Sequence, residues 1–395
     1  MPALDSLDVA GTRVLVRSDL NVPLRDGAIS DDMRIRAALP TIKKLLSSGA
    51  QVVVCSHLGR PKGKVVEDLS LAPVRARLEE LLDRPVTLAD DVVGDSAREA
   101  CASDDEVVLL ENLRFEPGEE KNDPDFADAL SSLGKRYVDD AFGAAHRAHA
   151  SIVGPPKELP SAAGLLLQDE VDKLSRLLDG AEHPYIGILG GAKVSDKLAV
   201  IDNLLERVDA LCIGGAMAFT LLAAKGEPVG NSLVERDRPD EVAQMLKHAE
   251  ARNVAIHLPT DVVAADSTDE GADHAIATLE HIGDRMGVDI GPRSARDFAA
   301  AIDGARTVLW NGPMGIFEID DYAKGTKTVA QAVAGATKNG AYTVVGGGDS
   351  AAALRALGME GDVTHLSTGG GASLEFLEGK DLPGIAALRS AKSSH

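Results

Sequence analysis

Short runs rich in β-branched residues alternate with amphipathic stretches along nearly the whole chain, and that alternation narrows the possible folds more than any other feature. TRVLVRSDL, AQVVVCSHLG, DEVVLLENLRF and KRYVDDAFG read as strands, while DDMRIRAALPTIKKLLSSG and LAPVRARLEELLD between them repeat apolar residues at helical spacing. This punctuation predicts a parallel sheet covered by helices on both faces. The second half repeats it, with YIGILGGAK, DALCIGGAM, NVAIHLPTDVV, RTVLWNGPMG and AYTVVGGGDS as strands that run into turns. At 395 residues the chain exceeds what one core usually serves, so two domains are expected. The Pro-, Gly- and Ser-rich SIVGPPKELPSAAG precedes a long amphipathic stretch and places the junction near residue 165. The fold class is therefore α/β, with two doubly wound parallel-sheet domains of similar size joined by a hinge.

Charge and composition exclude several classes of partner. A net charge of −21 disfavours a nucleic-acid surface, which needs a basic field. No run of eighteen apolar residues is present, and the opening MPALDSLDVAGTRVLVRSDL lacks a basic stretch followed by an apolar core, so neither a membrane span nor a secretory signal is expected. Cys55, Cys101 and Cys212 are widely spaced, and two of them lie in apolar strands; they read as buried free thiols in a cytoplasmic protein. Without a disulfide framework or an interface signature, the expected state is a monomer. A small anionic substrate is compatible with the charge if arginines gather locally.

They do gather. Arg17, Asp19, Asn21, Arg34, His57, Arg60, Arg114, His146, Arg147 and His149 all fall at or just beyond strand ends, or at the opening of the next helix. Forked guanidinium groups match carboxylate and phosphate oxygens. The three histidines read as binding or structural groups rather than proton carriers. In the second half, glycine-ended strands offer backbone N–H groups at the carboxyl edge of a parallel sheet, where open α/β sheets bind ligands. GILGGAKVSDKLAV adds Lys193 and Lys197, four residues apart and expected on one face of a first helical turn. VVGGGDSAAA reads as a phosphate-cradling strand-to-helix turn, yet it carries an acid, Asp349, which would repel a phosphate unless a cation sits between them. Neither glycine motif fits the dinucleotide fingerprint or the P-loop. That absence counts against a pyridine-nucleotide oxidoreductase.

Taken in order, VLVRSDLNVP, SHLGRP, LLENLRF, DDAFGAAHRAHAS, LGGAKVSDK, VLWNGPMGIFE and VVGGGDSAAA closely resemble the motifs of the phosphoglycerate kinase family, over residues 13 to about 375. The resemblance implies reversible phosphoryl transfer between 1,3-bisphosphoglycerate and MgADP, giving 3-phosphoglycerate and MgATP, with a C-terminal segment that returns to the first domain. It implies a glycerate-binding domain over 1–165, a nucleotide-binding domain over 166–372 and the returning segment over 373–395. Asp19, Asn21, Arg34, His57, Arg60, Arg114 and Arg147 would hold the glycerate substrate. Arg34, Lys193 and Lys197 would be catalytic, the lysines meeting the nucleotide phosphates and the moving phosphoryl group. Gly190, Gly191, Gly214, Gly215, Gly287, Pro313 and Glu318 would line the adenosine site, with Glu318 on the ribose. Gly347, Gly348, Asp349 and Ser350 would form the phosphate turn, with Asp349 on Mg²⁺, which resolves the conflict between acid and phosphate. Hinges are expected around PSAAGLLLQDE and at Gly369 to Gly371, allowing domain closure. IGGAMAFT departs from the family by placing Ala216 where a third glycine is frequent, which leaves the adenine side of the pocket in question. Trp310 is expected in the core. The other reading is an anion-binding or scaffolding protein that keeps the fold without turnover; intact Arg34, Lys193, Lys197, Glu318 and Asp349 argue against it.

Overall fold

The computed structural model describes residues 1–391. Two compact units divide the chain: Met1–Asp172 together with the segment from Asp381, and Lys173–Lys380.

The first unit is built on a six-stranded sheet. Across it run Thr87–Leu88, Val107–Leu109, Gln51–Cys55, Arg13–Arg17, Arg136–Asp139 and Ser161–Ala163, and every pairing is parallel. Val14 and Val16 point to one face and Leu15 to the other, and all three are fully buried. Both faces are therefore covered, as expected for strands that read as continuous apolar runs. Helix Met33–Ser47 supplies Ile35, Ala38, Ile42 and Leu45 to the core on the Val14 and Val16 side. Each of the Ile and Leu side chains contributes ~1.5–3 kcal/mol on full burial. The chain winds to one side from Arg13–Arg17 and later resumes on the other side at Arg136–Asp139. That reversal opens a crevice at the carboxyl ends of these two strands.

The second unit repeats the scheme. Its six-stranded sheet runs Ala255–His257, Ala210–Ile213, Tyr185–Leu189, Thr307–Asn311, Tyr342–Gly346 and His365–Leu366, again all parallel. The winding reverses between Tyr185–Leu189 and Thr307–Asn311, which places a second crevice beyond Leu189 and Asn311. An antiparallel sheet of His274–Thr278, Asp261–Ala265 and Met286–Ile290 is added to this unit.

Three expectations differ from the structure in detail. NVAIHLPTDVV is not one strand: Ala255–His257 belongs to the parallel sheet and Asp261–Ala265 to the antiparallel one, with Pro259 in the break where a ladder donor is missing. SIVGPPKELPSAAG is not a linker. It folds as the helices Ala150–Val153 and Pro155–Glu158, then as the edge strand Ser161–Ala163, and the unit boundary falls inside helix Leu165–Asp179. Helix Gly371–Leu377 belongs to the second unit, where Asn203 donates to the Leu377 carbonyl; of the segment after residue 373, helix Pro383–Arg389 lies in the first unit, against Ala150–Val153. The last four residues of that segment lie outside the described residues.

Candidate active site

In the first crevice a cationic cluster is built from the strand ends upward. Arg17, the last residue of its strand, is 1% exposed, and its Nε donates to Ser151 Oγ at 2.9 Å. Ser151 in turn gives its hydroxyl and its backbone N–H to the two oxygens of buried Glu119, at 2.6 and 2.9 Å. A second Arg17 nitrogen lies 3.1 Å from His57 Nδ1. Since arginine only donates, Nδ1 accepts, and the neutral ring carries its proton on Nε2. Burial, and then the Arg17 charge, hold His57 well below the usual imidazole range. His57 is thus a neutral donor rather than a proton carrier.

Asp19 follows the same strand end and pairs with Arg34, which sits in the first turn of helix Met33–Ser47. Burial alone would raise the Asp19 carboxyl, yet the charges of Arg34 and Arg17, with the Arg34 hydrogen bond, keep it below the ordinary carboxylate value. Gly143 leaves room for this pair, because a Cβ there would collide with the Asp19 carboxylate. Asn21 Oδ1 accepts the Gly59 N–H at 2.9 Å, and Arg114 donates to the Gly59 carbonyl at 2.8 Å, so both brace the turn that carries Arg60. Arg114 Nε also ion-pairs with Glu120 at 3.1 Å, without the alignment of a hydrogen bond. Burial lowers the Arg114 guanidinium, with Arg17 and Arg60 adding to the effect. His149 is pushed down to about 4 by burial and by Arg114, Arg17 and Arg147. These mutual perturbations place the arginines in one electrostatic neighbourhood. Arg60 and Arg147 are exposed at its edge.

In the second crevice the glycine turns interlock rather than stand open. The N–H of Gly190 goes to the Asn311 carbonyl at 3.0 Å, that of Gly191 to Pro313 at 3.2 Å, that of Gly214 to Leu189 at 2.8 Å and that of Gly215 to Met314 at 3.0 Å. The expectation that these N–H groups are free for phosphate is corrected: they are spent on protein carbonyls. Glycine leaves room here for backbone and side chains that pack closely against these turns. A Cβ on Gly190 would collide with the Pro313 carbonyl, one on Gly214 with Met314 and one on Gly287 with the Phe219 ring. Ala216 opens helix Met217–Ala224 at φ −64°, a right-handed conformation that needs no glycine. Trp310 is fully buried and donates to the Gly312 carbonyl at 2.7 Å, which fixes the Pro313 loop from below. Glu318, further along this loop, is exposed.

The lysines do not share a helical face. Helix Leu198–Leu205 begins after Lys197, and Lys193 sits in the preceding turn, exposed. Lys197 turns inward and donates to the carbonyls of Gly190 and Asn311, both at 2.8 Å, and to Asn311 Oδ1. Burial lowers its ammonium to about 8, with Asp349 and Asp196 opposing that shift.

Helix Gly348–Ala356 opens after Gly347, whose φ of +94° requires glycine. The first N–H groups of this helix have no carbonyl one turn earlier to bond, so they remain as donors, unlike those of the other glycine turns. Asp349 is exposed in this first turn. Ser350 is buried instead, its Oγ accepting the Gly312 N–H at 2.6 Å, so it ties two turns together rather than facing solvent. Asn311 went unread in the sequence. Its amide Nδ2 is buried without a hydrogen-bond partner and faces the Gly347 turn, where a Cβ would lie 3.1 Å away. A polar residue closing the apolar run TVLW at a strand's carboxyl end was the available signal.

A cationic crevice on one doubly wound sheet, with a lysine and a donor-rich helix start carrying a hard carboxylate on the other, defines a two-unit α/β phosphotransferase. Residues 4–380 match the family model for phosphoglycerate kinase. The phosphoglycerate kinase of Chloroherpeton thalassium is 53% identical over 98% of this chain and 99% of its own length, and that of Salinispora tropica is 54% identical over 97% of each. The solved structure of phosphoglycerate kinase from Coxiella burnetii superposes with a TM-score of 0.89 at 40% identity, covering 99% of both chains. The chain belongs to the phosphoglycerate kinase family. Its members are kinases that transfer a phosphoryl group reversibly between 1,3-bisphosphoglycerate and ADP. Among the described residues no helix is long and apolar enough to cross a membrane.

Proposed function

We propose that the first unit takes 3-phosphoglycerate or 1,3-bisphosphoglycerate and the second takes ADP or ATP with magnesium. What supports this division is the contrast between the crevices: convergent arginines in one, and in the other a donor-rich helix start beside Lys197 and Asp349.

Asp19 orients Arg34, Asn21 and Arg114 brace the Gly59–Arg60 turn, and neutral His57 donates from Nε2 to a substrate oxygen. Arg60 and Arg147 hold the far phosphate. Gly190, Gly191, Gly214, Gly215, Gly287 and Pro313 line the adenosine, and Glu318 takes the ribose. Lys193 and Lys197 neutralise phosphates, while the N–H groups of Gly348 and Asp349 and the Asn311 amide donate to them. The attacking group in the reverse direction is an ionised carboxylate, so no general base is assigned. Arg34 and Lys193 act by charge neutralisation of the transferring group, with in-line positioning as the other contribution.

The residues present fit a magnesium ion that arrives with its nucleotide. Mg²⁺ keeps several waters and is held by one or two carboxylates plus substrate phosphates. Asp349 offers one exposed carboxylate, and among the described residues no group of three or more His, Cys, Asp or Glu forms a protein cage. Magnesium held by Asp349 would supply neutralisation of charge on the phosphate oxygens. Buried, unpaired Cys55, Cys101 and Cys212 support a reducing, cytoplasmic setting. We also read the protein as a monomer, which light scattering after gel filtration tests. The deciding experiment for the reaction is a coupled assay of ATP formation from 1,3-bisphosphoglycerate and MgADP; purified, folded chain without turnover would overturn the proposal.

A further inference from the structure

Lys193 is the one cation of the second crevice that no hydrogen bond fixes among the described residues, yet the turn that carries it is held on every side. On its carboxyl side Lys197 donates its N–H to the Val194 carbonyl at 2.9 Å, and Val194 is fully buried. The remaining grip comes from forty residues away. Glu235 Oε2 accepts the Ser195 N–H at 3.0 Å and Oε1 accepts the Ser195 hydroxyl, while the Val194 N–H also stabilises the charge of this carboxylate. Glu235 is itself anchored, its N–H donating to Thr220 Oγ1 at 3.1 Å. Upstream in the same segment, Ser232 Oγ accepts the Gly287 N–H at 2.9 Å, which ties it to the wall assigned to adenosine.

From this geometry we infer that Glu235 is the positioning residue for Lys193: it grips the turn just after the lysine through Ser195 and thereby aims the ammonium at the nucleotide phosphates. The inference rests on the role given to Lys193 above. Three features carry it. The lysine stem is long and flexible, so where its charge dwells is set by its backbone and by nearby charge. Glu235 supplies both, since its bonds fix the adjacent N–H groups and its charge and that of Lys193 attract one another. Burial would raise this carboxyl, but the Ser195 and Val194 bonds, with Lys193, hold it below its ordinary value, so it is ionised at neutral pH. It also occupies the Ser195 N–H and hydroxyl, while the Lys193 side chain stays exposed.

A double-mutant cycle on the full chain tests the inference, with kcat and KM measured for MgADP and 1,3-bisphosphoglycerate. Glu235→Ala is expected to lower kcat about tenfold or more, with KM for 1,3-bisphosphoglycerate changed less than about twofold. Ser195→Ala, which removes one of the gripping bonds and cannot disturb the anchor on Thr220, is expected to lower kcat less. Glu235→Gln keeps an acceptor and loses the charge, so partial retention is expected. In a Lys193→Ala background the further cost of Glu235→Ala should fall below about twofold, because the residue acts through the lysine. If the full cost of Glu235→Ala persists there, its role is structural and the inference is overturned. Should Glu235→Ala fail to fold, the same cycle run with Ser195→Ala decides. If Lys193→Ala alone is as active as the parent, the role of the lysine itself fails, an outcome distinct from additivity.

Discussion

Lys197 Nζ donates to the main-chain oxygen of Asn311 across 2.8 Å, at the point where the second sheet reverses its winding. A cation held there has exchanged water for carbonyl oxygens, and burial brings its ammonium to about 8. A Lys pKa lowered on folding means that the unfolded chain holds more protons above pH 8. Its contribution to stability therefore rises with pH between about 8 and the ordinary lysine value. For activity the sign is the opposite, since the charge that neutralises phosphate is lost. Above pH 8, kcat/KM for MgADP should fall in the parent, and that limb should flatten in Lys197→Ala. The same limb in both proteins would detach Lys197 from the nucleotide.

Asp349→Asn keeps the shape of the first turn and removes the anionic oxygen. The main loss should be in the magnesium dependence of nucleotide use, with 3-phosphoglycerate binding little changed. Magnesium titrations at fixed ADP check this, and superimposable curves for variant and parent would remove Asp349 from the metal.

Arg34 and Arg60 should separate kinetically. Arg34 is oriented by Asp19 in the strand-end crevice, whereas Arg60 is exposed at the edge of the cluster. Arg34→Ala should lower kcat on the order of a hundredfold, as for loss of one preorganised donor, and Arg60→Ala should act chiefly on substrate KM. An Arg34→Ala effect confined to KM would make it a binding residue.

Which of these features a reader of the sequence can find follows from the range of the interactions. Strands ending in glycine or in charged residues are local patterns, so the strand ends that border both crevices are legible in stretches such as TRVLVRSDL and AYTVVGGGDS. Spacing misled where a turn replaced a helix. Lys193 and Lys197 are four apart, but Gly191, at φ +104°, and the turn after it place one outside and one inside. Composition misled at Ser161–Ala163, where small residues in a Pro-rich stretch form an edge strand rather than a linker. Nothing local marks Glu235 or Ser151, because their partners Ser195 and Glu119 lie 40 and 32 positions away.

Gly347 and Gly348 provide an internal contrast in stability. At Gly347 an alanine would take φ +94° with its Cβ 3.1 Å from Asn311 Nδ2, while at Gly348 it would meet nothing within 4 Å. Gly347→Ala should cost about 1–3 kcal/mol, as for a side chain in a sparsely populated backbone region. Gly348→Ala should be close to neutral or slightly stabilising, by the helix preference for alanine. Urea unfolding of both variants measures the difference, and equal midpoints would contradict the strain assigned to Gly347.

Asp140 gives the last prediction, because it joins the strand end of the first crevice to helix Leu165–Asp179. Its Oδ1 accepts the N–H groups of Leu166 and Leu167 at 2.9 and 3.3 Å, and Thr41 Oγ1 accepts that of Leu165 at 2.9 Å, so the helix start is satisfied from two elements. Oδ2 has no hydrogen-bond partner, and burial raises the carboxyl to about 7. A carboxyl raised on folding binds its proton more tightly in the native state. Between its ordinary value near 3.8 and about 7 the folded chain therefore holds more protons than the unfolded one, and stability falls as pH rises through that window. Asp140→Asn keeps the Oδ1 acceptor and removes the ionisation. Its unpaired amide costs something at every pH, so the slope is the informative quantity rather than the absolute value. Relative to the parent, the variant should gain stability from pH 4 to about 7, by at most ~4 kcal/mol at 1.36 kcal/mol per unit, and level off between about 7 and 8. Urea midpoints across that range check it, and parallel curves for the two proteins would show that Asp140 does not titrate on folding.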